Sequence, residues 1–137
     1  MDKLIVIPVT SDQSIAQMLS LANEIWKEYL DKHRTLTPTV VDDILTVFTA
    51  GQVRSKIKNG HYFIVQNIRK ENIGYCGISL LNKFLYLDVI AVKAEHRGKR
   101  YGKRMLRVIE FVSRKQGYPF FLTTVKIKLK IKILKYN

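Results

Sequence analysis

The chain has one cysteine, eleven acidic residues against twenty-four basic ones, three scattered histidines and no apolar run approaching a membrane span. Each shortage excludes something. A lone Cys76 cannot form an internal disulfide, so a disulfide-stapled secreted scaffold is ruled out and a reducing cytoplasm is the expected location. No transmembrane helix is expected, and the N-terminus lacks the basic-then-apolar layout of a signal peptide. His33, His61 and His96 stand apart with no ligand spacing, so no metal site is expected.

What is present reads as a folded protein. A hydrophobic fraction of 47% and a charged fraction of 26% suit a globular chain, and 137 residues suit one domain spanning 1–137. The excess of bases gives a formal charge of +13. Five of those lysines (Lys126, Lys128, Lys130, Lys132 and Lys135) lie beyond Val125, and without them the charge is still +8. A basic body suits an anionic cofactor, and it equally suits nucleic acid.

Periodicity orders the elements. Leu4 to Val9 reads as a strand that Pro8 pushes toward an edge. Capping residues Thr10-Ser11-Asp12 precede Ile15, Met18, Leu19, Ala22, Ile25, Trp26, Tyr29 and Leu30 at helical spacing. Thr37-Pro38 opens a second helix through Val41, Ile44, Leu45 and Phe48, breaking near Gly51 and resuming to a stop at Asn59-Gly60. Strands follow over 62–68, 73–80 and 84–92 as an antiparallel meander, with a polar turn at 69–72. An amphipathic helix with Met105, Val108, Ile109 and Val112 runs to Lys115, and a strand over 119–125 returns parallel to the third. The fold class is therefore α/β (α+β), a mixed and mostly antiparallel sheet flanked by helices.

The segment Val92 to Leu106 carries the chemistry. A β-branched strand feeds the basic loop Arg97-Gly98-Lys99-Arg100-Tyr101-Gly102-Lys103, which opens straight into a helix. Free N–H groups at a helix start, with the macrodipole behind them, form an anion site. Glycine lets a ligand approach the main chain, and the surrounding Arg and Lys add charge.

This stretch resembles the acetyl-CoA pyrophosphate loop of the GNAT N-acetyltransferases, Arg/Gln-x-x-Gly-x-Gly/Ala. Arg97 stands at its first position and Gly102 at its last, while Arg100 replaces the middle glycine. Asn23-Glu24-Ile25-Trp26-Lys27-Glu28-Tyr29 resembles the first-helix signature of one bacterial branch of the family, and Phe120 to Lys126 the family's fifth strand. The resemblance covers roughly residues 1–126. It implies a GNAT fold with an incomplete C-terminal part, acetyl-CoA as cosubstrate, and an amine-bearing acceptor. It also implies cofactor binding by Arg97, Gly98, Lys99, Arg100, Tyr101, Gly102 and Lys103. In the family the strand before the loop splays from its neighbour, so the backbone of Ile90, Ala91 and Val92 is expected to hold the pantetheine arm and polarise the acetyl carbonyl.

Asp88 lies two residues before Ile90, on the same face by strand alternation, and is the candidate base for the acceptor amine. Its plainer role is a surface carboxylate paired with a nearby cation. Glu24, Glu28 and Tyr29 are candidates for the acceptor side, with solvated and packing roles as the ordinary alternative. Cys76 reads as a buried strand residue rather than a nucleophile.

From Lys126 to Ile133 the tail alternates lysine with Ile or Leu, where the family has a tyrosine-bearing helix and closing strands. A slip in an A-rich coding stretch is the expected cause, and sequencing the locus tests it. An uncovered Phe120 and Leu122 face would favour a homodimer. The function expected is acetyl transfer from acetyl-CoA to a primary amine. The rivals are a catalytically impaired acetyl-CoA-binding remnant and, ranked last, a small basic nucleic-acid-binding protein.

Overall fold

The computed structural model describes residues 3–32, 50–81, 84–117 and 120–121. The elements, in order, are β1 (Ile5–Pro8), α1 (Asp12–Lys32), α2 (Ala50–Ile57), β2 (Gly60–Gln66), β3 (Asn72–Leu81), β4 (Phe84–Val92), α3 (Tyr101–Gln116) and β5 (Phe120–Phe121). The sheet order is β1-β2-β3-β4-β5. The first four strands pair antiparallel in sequence, and β5 joins β4 in parallel at Leu85↔Phe120 and Tyr86↔Phe121. The meander and the parallel return are thus both present, and β1, with Pro8, is an edge of this sheet.

Local chemistry sets the boundaries. At the start of α1, the Ser14 amide donates to Ser11 Oγ at 3.1 Å and the Ser11 amide to Ser14 Oγ at 2.9 Å. This reciprocal box satisfies two backbone donors, with serine in the place usually held by glutamate. β2 ends at Gln66, two residues before the expected end. Asn67 Oδ1 accepts from the amides of Arg69 and Glu71, each at 3.0 Å, and closes the turn early. β2 also begins at Gly60, which was expected to stop a helix. A Cβ there would lie 2.1 Å from the Ile78 carbonyl oxygen, so the glycine serves close strand pairing instead. α2 begins at Ala50 with Gly51 in its first turn, where a glycine costs only about 1 kcal/mol, and the residues before Ala50 that bear on the expected break lie outside the described residues. The expected helical stretch over 38–48 and the strand beyond Phe121 lie outside the described residues, as does the tail.

Two apolar layers sandwich the sheet. On one face α1 and α2 press Ile15, Met18, Leu21, Ala22, Ile25, Trp26 and Val53 onto Tyr62, Ile64, Tyr75, Val89 and Ala91. On the other, Met105 and Ile109 of α3 cover Phe63, Val65, Ile73, Cys76, Ile78, Leu85, Leu87, Ile90 and Val92. Each fully buried large aliphatic side chain contributes roughly 1.5–3 kcal/mol. Leu21, missed by the helical stripe, is buried, whereas Leu19 is half-buried. Val108 and Val112 are also only half-buried, because they border an open groove with Val6, Phe63 and Phe111. Trp26 Nε1 donates to the Tyr75 hydroxyl at 2.5 Å, joining α1 to β3 through a buried polar contact. Cys76 is fully buried and its thiol is pushed up to about 12 by desolvation, which keeps it protonated and inert.

Candidate functional site

β4 ends at Val92, a short 3-10 turn (Ala94–His96) reverses the chain, and α3 begins at Tyr101. Gly98 adopts φ 77°, and Arg100, immediately before the helix, adopts φ 65° and ψ 18°. Both are left-handed. The position where the resemblance placed a glycine therefore has glycine's backbone while carrying an arginine. For an L-residue this conformation costs roughly 1–2 kcal/mol, against the smaller entropy cost of a glycine. Stability should therefore rank Arg100→Gly above the native chain and the native chain above Arg100→Val, read as melting temperatures. A higher value for the valine variant would disprove the strain.

No side chain caps α3. The Arg104 amide bonds the Arg100 carbonyl at 3.2 Å, so the amides of Tyr101, Gly102 and Lys103 open outward by helix geometry. Gly102 is buried in this first turn, while Lys99, Arg100 and Lys103 are exposed around it. Tyr101 is braced by His96 (edge-on, 6.0 Å) and by the Arg104 guanidinium 5.6 Å from its ring. Arg97 turns back: its Nε donates to the Val92 carbonyl at 2.9 Å, and its Nη2 is buried with no hydrogen-bond partner. A buried guanidinium nitrogen without an acceptor, on the loop that leads into an open helix turn, fits an anionic group.

Ile90, Ala91 and Val92 are fully buried, with Ile90 and Val92 toward α3 and Ala91 toward α1. Their side chains are therefore core, and only backbone remains for a ligand. One edge of that backbone pairs with β3, as Cys76↔Ile90, Tyr75↔Ala91 and Gly74↔Val92. On the other edge the described pairing with β5 is confined to Leu85 and Tyr86, so the expected splay at Ile90 falls beyond the described residues. The Val92 carbonyl, expected to be open, already accepts from Arg97.

Asp88 does not share a face with Ile90. The register steps from Gly77↔Val89 to Ile78↔Leu87, leaving Asp88 as an extra residue in a bulge. A bulge resets the alternation, so Asp88 joins the α1/α2 side while Ile90 packs on the α3 side. There Asp88 Oδ2 accepts from the Tyr62 hydroxyl at 2.9 Å and from the Ser79 hydroxyl, with Lys56 Nζ 3.9 Å away. Burial, reinforced by the Asp88 charge and hydrogen bond, pushes the Tyr62 hydroxyl far above its ordinary range, so Tyr62 stays a donor. Oδ1 takes none of these contacts. A carboxylate held through one oxygen and left with the other can accept a proton or a hydrogen bond from a ligand.

Lys93 binds the loop to the first helix. Its ammonium lies 2.8 Å from Glu95 and 3.1 Å from Glu24, and the hydrogen bond to Glu95, then Glu24, raises its pKa. Glu24 is thus an anchor for the loop rather than a free acceptor-side group, and both glutamates are largely exposed. The partners of Asp88 were not visible in the sequence, since Lys56, Tyr62 and Ser79 come from three different elements. Ser79 in an apolar strand, two residues after Gly77, was the one available hint. His61 stacks on Phe63 and touches Gln116, and His33 and the side chain of Tyr29 lie outside the described residues. Among the described residues no helix is long and apolar enough to cross a membrane, and no His, Cys, Asp or Glu cluster could hold a metal.

A strand, a left-handed loop and an uncapped helix after an antiparallel meander define an acyltransferase-type fold. The model of the GNAT acetyltransferase family matches residues 18–128, and the chain belongs to that family. No curated protein matches it by sequence. Among solved structures it is similar to the PaiA N-acetyltransferase of Thermoplasma acidophilum in complex with coenzyme A (TM-score 0.67, 15% identity, covering 85% of this chain and 75% of that one). It is also similar to a GNAT-family acetyltransferase from Staphylococcus aureus Mu50 (0.65, 14%, 95% and 79%). A third is an aminoglycoside acetyltransferase from an uncultured soil metagenomic sample (0.60, 18%, 95% and 90%). At these identities the likeness is one of fold.

Proposed function

We propose that the chain, as one domain over residues 1–137, transfers an acetyl group from acetyl-CoA to a primary amine in the cytoplasm. The observation that carries this reading is the uncapped start of α3, preceded in the same loop by the orphaned Arg97 Nη2. The presence of coenzyme A in the Thermoplasma relative supports the same ligand class. Arg97, Gly98, Lys99, Arg100, Tyr101, Gly102 and Lys103 would hold the pyrophosphate through amides and charge. The backbone of Ile90, Ala91 and Val92 would lie along the arm, with an N–H placed where carbonyl charge develops.

The cosubstrate supplies a thioester: a C–N bond forms as the C–S bond breaks, and the electron pair leaves on sulfur. The chain's share is proximity and proton handling. Asp88 Oδ1 takes one proton from the attacking nitrogen, while Tyr62 and Ser79 hold Oδ2 in place. The thiolate is protonated in turn from solvent or from that carboxyl.

Acetylation of an amine by the purified chain, followed as release of free thiol, tests the reading. Asp88→Asn keeps the shape and removes the base, so kcat should fall by about 10²-fold at most with coenzyme A affinity unchanged. Binding without turnover across a broad amine panel would replace this reading with that of an acetyl-CoA-binding remnant.

A further inference from the structure

Resting on the acetyl-transfer reading, one feature of the Asp88 cluster bears on the acceptor. An isolated carboxylate at the floor of an acceptor site would draw in any ammonium, and polyamines most of all. Here it is not isolated. Tyr62 and Ser79 already satisfy Oδ2, so the Lys56 ammonium, 3.9 Å away, is not required as a hydrogen-bond donor to it. The Lys56 side chain is 28% exposed and the Asp88 side chain 19%, so both charged groups are within reach of a ligand from solvent. The Lys56 ammonium forms no other hydrogen bond or ion pair among the described residues. The stretch from Ala50 to Lys70 carries Arg54, Lys56, Lys58, Arg69 and Lys70 without a single acid. Arg54 is spoken for by Asp12 at 3.2 Å, and Lys58 is exposed.

We propose that Lys56 selects the acceptor: it admits an amine carrying an anionic group, carboxylate or phosphate, a few bonds from the reacting nitrogen, and disfavours polycationic amines. As the amine reaches Asp88 Oδ1, its neighbouring anion meets the Lys56 ammonium, whereas a second ammonium is repelled by it. Lys56 is a specificity determinant and takes no part in bond making.

The test uses three acceptors with the same reacting end: β-alanine, β-alaninamide and 1,3-diaminopropane, each with saturating acetyl-CoA. The native protein should favour β-alanine over the diamine by about tenfold or more in kcat/KM. Lys56→Met should bring that ratio close to one, Lys56→Glu should reverse it, and Lys56→Arg should preserve it. Melting temperatures confirm that each variant is folded. A preference for the diamine, or a ratio that Lys56→Glu leaves unchanged, overturns the selection and leaves acetyl transfer standing. Silence toward all three acceptors with coenzyme A still bound overturns the selection, while acetyl transfer itself stands or falls on the broad amine panel.

Discussion

Gly102→Asp is expected to weaken coenzyme A binding by about a hundredfold, or ~2.7 kcal/mol. The residue sits in the first turn of α3, where the amides of Tyr101, Gly102 and Lys103 have no cap. A carboxylate at this point acts twice. Its oxygens bond the same amides as an intramolecular cap, and its charge faces an incoming phosphate. Because Gly102 is buried, the substitution also costs stability before any ligand is added. The quantity to read is therefore the increase in melting temperature on adding coenzyme A, variant against native, since only binding to the folded state contributes to it. Lys99→Glu provides a second variant without that burden, being exposed on the loop. It should lose less, about tenfold, and the loss should shrink in high salt. An unchanged ligand-induced shift in both variants would place the cofactor elsewhere.

The parts of this site that were legible in the sequence are those set by local chemistry. Gly98, the basic run and the onset of periodicity at Tyr101 mark the loop and helix, because turn conformation and amphipathicity are written within a few residues. The bounds of β4, Phe84–Val92, follow from its β-branched and apolar content in the same way. Asp88 shows where this fails. Alternation predicts its face only if the strand keeps a period of two, and a bulge is set by pairing with β3, which no local window contains. The same limit hides the cluster around it, since Lys56, Tyr62 and Ser79 meet only after α2, β2 and β3 have packed. The resemblance implies that Arg97 is a phosphate ligand, yet one of its nitrogens is committed to the Val92 carbonyl, a partner supplied by the reversal of the chain at the 3-10 turn.

Gly77→Ala is expected to destabilise the sheet by overpacking against Tyr62. A Cβ at this position would stand 2.4 Å from Tyr62 Cε2 and 2.5 Å from Cζ, well inside van der Waals contact. Strand propensity alone favours alanine over glycine by less than about 1 kcal/mol. Overpacking opposes it by roughly 1–3 kcal/mol, and here the ring cannot easily yield. Tyr62 is only 3% exposed, and its hydroxyl is held by Asp88 at 2.9 Å. If the ring shifts, that hydrogen bond is lost and the carboxylate loses the group that orients it, so stability and acetyl transfer should fall together. The attribution rests on coupling, which a double-mutant cycle measures. With Tyr62→Leu in the background the ring plane is gone, and the further change Gly77→Ala should cost at least about 1 kcal/mol less than it does in the native chain. Equal costs in the two backgrounds would mean that the methyl group strikes something other than Tyr62, and that the glycine is not what lets Tyr62 reach across β3 to Asp88.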